Sequence, residues 1–151
     1  MLYTNADATL YNYFKDKESG KVSYRKTYLR GVFWDDMKQS NVIKSGIATI
    51  ESVLICVPFY VNADNKVYKS PKEYQKLTDE EKDKTFTFVA NSQDIIVKGI
   101  VDYEIDNTSS KTISECLMYL RNNYDSVMTI SVVDEKDFGS EPMRHWEIGG
   151  K

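Results

Sequence analysis

The chain of 151 residues carries 20 Lys and Arg against 23 Asp and Glu, a net charge of −3, with 41% hydrophobic residues. That is one domain of ordinary globular composition, long enough to bury a core without metal or disulfide staples. Seven Gly and three Pro exclude collagenous and low-complexity chains, the acidic balance argues against a dedicated duplex-DNA binder, and a single His narrows the catalytic and metal options.

The first predicted element is a strand at Thr9–Phe14, rich in aromatics. Asp16–Gly20 is a polar turn ending in Gly, and Lys21–Trp34 follows as a long or bent strand, so the two segments read as a hairpin. Gly31 in the middle of the second strand suggests a bulge. Asp35–Gly46 is polar and reads as a loop. Strand signal peaks at Ser52–Tyr60, where Val53, Ile55, Val57 and Phe59 alternate on one face and Pro58 argues for an edge or strand end. Asn62–Lys66 is a turn. Ser70-Pro71-Lys72-Glu73 is a helix-start signature, predicting a short helix at about 71–77, and Thr78-Asp79-Glu80-Glu81 could start a second turn of the same kind.

Thr85–Val89 alternates Phe with Thr and reads as strand, as does Ile95–Val101 with Tyr103 and Ile105 continuing it. Thr108-Ser109-Ser110 caps the clearest helix, about 110–121, whose Ile113, Leu117 and Leu120 form a core stripe with Cys116 beside it. Asp125–Val133 is a further strand, Asp134–Asp137 a polar turn, and the chain ends in a strand on which Trp146 and Ile148 share a face. No repeat or linker interrupts this pattern. The expected architecture is a single mainly β (α+β) domain, 1–151: a small antiparallel barrel or sandwich of about seven to eight strands, with one main helix laid across it.

Chemistry-bearing motifs are sparse. Met1–Asp7 has neither a basic nor an apolar signal-peptide region, and the longest apolar stretch, Val53–Val61, is far short of the ~20 residues of a membrane helix. Cys56 and Cys116 both lie in apolar runs and read as buried thiols; pairing either with His145 as a nucleophile lacks the electropositive, open setting a thiolate needs. No Cys-x-x-Cys, His-x-x-x-His or phosphate-loop spacing occurs, so no metal site or cofactor is expected, and Asp134, Glu135 and Asp137 are the candidate for a carboxylate-metal enzyme. Residues 1–75 hold 11 basic and 8 acidic groups, against 9 and 15 in 76–151, and Lys21, Arg25, Lys26 and Arg30 could meet an acidic partner. Eleven Tyr are more than one small core can bury, which favours an interaction protein over a solitary Tyr-rich domain.

The run from Phe138 through Met143-Arg144-His145-Trp146-Glu147-Ile148 to Gly149-Gly150-Lys151 resembles the C-terminus of a family of small proteins. That family is encoded in the structural-gene modules of phages and prophages of Gram-positive bacteria. Arg30-Gly31-Val32-Phe33-Trp34 and Asp94-Ile95-Ile96-Val97-Lys98-Gly99 fit the same pattern, so the likeness covers most of the chain. In that setting the size and β-rich pattern look like head–tail connector proteins of the stopper or head-closure type. The resemblance implies a non-enzymatic virion component, made in the host bacterial cytoplasm. It would assemble as a homo-oligomeric ring between portal or adaptor and tail subunits, with at most transient contact with packaged DNA and none with membrane. Asp35, Asp36, Lys38 and Lys44 would then belong to a channel loop spanning Asp35–Gly46. Phe138, Arg144, His145 and Trp146 are the candidate joining surface, on a terminal strand able to add to a neighbour's sheet; the competing reading of Trp146 is a plug in the barrel core. The alternative function is a prophage-encoded cytosolic regulatory module.

Overall fold

The computed structural model describes residues 3–15, 20, 22–43, 46–105 and 113–150. In chain order its strands are β1 (Ala6–Lys15), β2 (Val22–Ile43), β3 (Gly46–Pro58), β4 (Val67–Tyr68), β5 (Thr85–Phe86), β6 (Ile95–Lys98), β7 (Val127–Lys136) and β8 (His145–Gly150). The helices are α1 (Pro71–Gln75), α2 (Asp79–Lys82) and α3 (Ile113–Asn123), with a single 3₁₀ turn at Glu141–Met143. The protein is mainly β. Six strands close into a barrel in the order β1-β2-β3-β8-β7-β6, and every pairing around it is antiparallel. β4 and β5 form a separate two-residue parallel pair.

Strand alternation divides the apolar residues between two cores. Ala8, Leu10, Ile55, Val57, Ile96, Met128, Ile130, Trp146 and Ile148 face inward and fill the barrel. Tyr11, Ile95 and Val97 face outward on the same strands and are covered by Cys116 and Leu120 of α3. β1 and β6 are thus buried on both faces, which explains the unbroken apolar run Ile95-Ile96-Val97 of β6.

Gly31 keeps the inner face in phase. Asp7 pairs with Arg30 and Ala6 with Val32, so Gly31 is the extra residue of a bulge, at φ +91° where a Cβ is unfavourable. Its N–H donates to Asp7 Oδ1 (2.9 Å). The phase shift takes the inward set from Leu29 to Val32 and Trp34, all at most 3% exposed; without it, Trp34 would face solvent. At the other end of the chain, a Cβ on Gly150 would collide with the Thr129 carbonyl oxygen and press on Met128 Cε, so β8 closes on β7 only with glycine there.

The short helix signature near residue 70 forms as expected at α1: Ser70 Oγ accepts from Glu73 N–H and donates to the Glu73 carboxylate. The main helix is seen over Ile113–Asn123, while its expected cap at 108–110 and the turn at 16–19 lie outside the described residues. Four expectations are corrected. The strand at 85–89 pairs only at Thr85 and Phe86. The strand from Ile95 stops at Lys98, because Gly99 turns at φ +98° and the Thr9 hydroxyl binds both Gly99 O and Val101 N in place of a ladder. The Asp134–Asp137 turn is in part strand, since β7 continues to Lys136 opposite His145.

The fourth correction concerns the expected loop at Asp35–Gly46. Asp35 and Asp36 pair with Leu54 and Val53 within β2 and β3, and the two strands run on together from Met37↔Ser52 to Ile43↔Gly46. Neither β1 nor β8 pairs with that stretch: β1 stops opposite Val32, and β8 stops opposite Val53. Beyond the barrel the chain is therefore a two-stranded ribbon. Lys38 sits in it opposite Glu51, and Lys44 lies outside the described residues.

Candidate functional site

The four residues expected to form a joining surface part company. Phe138 is 70% exposed, whereas Trp146 is 4% exposed inside the barrel. Arg144 is half-buried and pairs with Asp137 (3.5 Å). His145 is half-buried on the outer face of β8. Strand addition at β8 is ruled out by its neighbours, since β3 and β7 already occupy both of its edges. Trp146 is instead the hub of an aromatic plug, its ring centroid 4.4 Å from Phe59, 4.5 Å from Tyr68 and 5.4 Å from Phe88.

The basic residues and tyrosines are also largely used internally. Arg25 pairs with Asp79 and Asp83 of the α2 region, Lys26 with Glu104, and Arg30 with Asp64. Lys21 lies outside the described residues. Tyr11, Tyr24 and Tyr28 donate their hydroxyls to the carbonyls of Tyr103, Gln93 and Val101. These tyrosines line the outer wall and tie down the segment 93–103, Tyr11 fully buried and Tyr24 and Tyr28 half-buried.

A cleft of about 930 Å³ opens between the end of β1, the α1–α2 segment and the loop before β6. Three of its charged groups, Asp79, Lys82 and Asp94, are engaged by the chain itself. The Lys82 ammonium is buried 3.5 Å from the Phe14 ring centroid and 5.8 Å from that of Tyr74. Asp94, 1% exposed, accepts from Tyr13 N–H (2.8 Å) and from the Asn12 amide (3.1 Å). Asn12 also donates to Thr87 O and accepts from Thr87 N–H, stitching β1 to the crossover that covers the barrel mouth. Sequence reading passes over both residues, because Asn and Asp at a strand end and beside Ser92 look like turn formers.

Burial raises the Asp94 carboxyl to about 6, against the hydrogen bonds from Tyr13, Asn12 and the Val89 backbone that pull it down. The folded chain therefore keeps a proton at Asp94 that the unfolded chain releases near the ordinary value of 3.8. The contribution of this group to stability is full below that value and is lost as pH rises through about 6. The shift corresponds to at most about 3 kcal/mol. Wild type is expected to lose up to that much stability relative to Asp94→Asn between pH 4 and 7, measured by urea unfolding. A difference that does not change with pH would refute it.

On the outer face of β3 and β8, Cys56, His145 and Glu147 converge, their donor atoms all within 4.8 Å of one another. Glu147 is opposite Cys56 in the ladder, and His145 is two residues from Glu147 on the same face. The structure thus joins His145 to Cys56, a pairing the sequence reading set aside. The thiol is not activated by it: burial, Glu147 and Asp35 all push the Cys56 pKa up. Asp134, Glu135 and Asp137 do not form a comparable cluster among the described residues; Asp134 pairs with Lys136 (2.6 Å) and Asp137 with Arg144. Among the described residues no helix is long and apolar enough to cross a membrane.

A closed six-stranded barrel, walled on one side by a helix and extended by a two-stranded ribbon, defines a small β-barrel protein. The chain belongs to the DUF6751 family, a family of unknown function, whose model matches residues 3–151. No curated protein and no solved structure matches it.

Proposed function

We propose that this chain is a non-enzymatic assembly subunit, a phage or prophage virion protein of the head–tail connector type that works by ring formation and protein–protein contact. The observation that carries the proposal is the ribbon. β1 and β8 stop short of it, so Met37–Ile43 and Gly46–Ser52 each keep one strand edge unpaired, out beyond the barrel. Unpaired strand edges are templates for another chain. The likeness of the C-terminal motif to phage structural-module proteins supplies the setting, with portal or adaptor and tail subunits as neighbours. Engagement of Arg25, Lys26 and Arg30 by acids of the same chain favours transient over tight contact with DNA.

The test is mass spectrometry of particles pelleted from an induced lysate of the source strain. Several copies of this chain per particle, beside portal and tail subunits, are the expected result. Recovery only from the soluble fraction would overturn the proposal and favour a cytosolic regulatory module.

A further inference from the structure

We propose that Cys56, His145 and Glu147 form a zinc site on the outer wall of the barrel, clamping β3 to β8. The donor set is a thiol, an imidazole and a carboxylate, the three ligand types that zinc takes from proteins. All three donor atoms already lie within 4.8 Å of one another. Ordinary zinc bond lengths give tetrahedral donor–donor edges of about 3.4–3.6 Å. The His145 Nε2 to Glu147 Oε1 separation is 3.2 Å, close to such an edge.

A second observation points the same way. His145 Nδ1 lies 2.8 Å from the Met143 carbonyl oxygen. A carbonyl only accepts, so Nδ1 carries a proton, and Nε2 is the ring atom turned to the Glu147 carboxylate at 3.2 Å. A contact of that length needs a cation between the two atoms. A proton would satisfy the pair alone; the thiol on the third side is what selects a metal. Donation of the far ring N–H to a backbone carbonyl is also the usual orientation of a zinc-bound histidine.

The spacing explains why sequence inspection misses the site. His145 and Glu147 stand at i and i+2, which puts both on one face of a strand. Cys56 comes from a strand some ninety residues earlier. Three ligands leave a fourth position for water or for a group from another molecule.

The test uses the full chain, stripped with chelator, titrated with Zn²⁺ by calorimetry and with Co²⁺ by absorption spectroscopy. Uptake of one ion per chain is expected. Co²⁺ should give a thiolate charge-transfer band and the visible bands of tetrahedral coordination. Cys56→Ser should abolish the charge-transfer band, and His145→Gln and Glu147→Gln should each weaken Zn²⁺ binding at least tenfold. Cys116→Ser, in the core under α3, should leave both metals unaffected. Circular dichroism of each variant checks its fold, and a rise in Tm on adding Zn²⁺ should be seen in wild type but not in Cys56→Ser. No Zn²⁺ uptake by the folded wild type would overturn the site, as would Co²⁺ spectra unchanged in folded Cys56→Ser.

Discussion

Trp146→Ala is expected to lower the unfolding free energy by about 3–5 kcal/mol, the range for truncating a large aromatic in a packed core. The indole is 4% exposed and touches Phe59, Tyr68 and Phe88, so its loss leaves a void where the crossover 59–90 folds over the barrel mouth. Phe88 stacks on Tyr68 and Phe86 meets both rings edge-on in the same cluster, and their docking is weakened with it. For a chain of this size such a loss corresponds to a Tm lower by about 10 °C or more. Trp146→Phe keeps a ring in the plug and should cost less than half as much. Equilibrium urea unfolding of the purified variants reads both. A loss under about 1 kcal/mol for Trp146→Ala would mean that the cluster does not seal the barrel, and would return Trp146 to the list of interface residues.

This position shows what the sequence can and cannot reveal. Trp146 and Ile148 share a face by simple alternation, and so do Ile55 and Val57; a closed barrel with one buried face makes that period compulsory. Cys116, Leu117 and Leu120 are legible for the same reason, since α3 has one wall to cover. Where both faces are buried, as on β6, or where a side chain replaces the ladder, as Thr9 does after Gly99, the period disappears and strand ends become invisible. The ribbon fails differently. Met37–Ile43 pairs with no third strand, so nothing imposes alternation on it, and the polar stretch Asp35–Gly46 reads as loop. Polar partners are hardest of all. Asn12 with Asp94, and Cys56 with His145, meet across 82 and 89 residues, and nothing local marks one member as belonging to the other.

The ribbon is also where a small change should have the largest functional effect. Joining Met37 to Ser52 through Asn-Gly removes residues 38–51 while supplying the dipeptide favoured in two-residue hairpin turns. The barrel pairings of β2 with β3, from Phe33↔Cys56 to Asp36↔Val53, are untouched, as are those of β1 and β8. The Asn5 amide continues to cap the β2 edge by bonding both Trp34 N–H and Trp34 O. The truncated chain is therefore expected to fold with a Tm near that of wild type. Its six lost ladder pairs, from Lys38↔Glu51 to Ile43↔Gly46, span about 20 Å at ~3.3 Å per residue. A hairpin of that length is marginal by itself in water, so its stability and its use both depend on a neighbour. In a strain carrying only the truncated gene, the chain should vanish from pelleted particles while remaining in the soluble fraction. If it enters particles at the wild-type copy number, the ribbon is not the joining element, and the exposed Phe138 at the other end of β7 becomes the place to look.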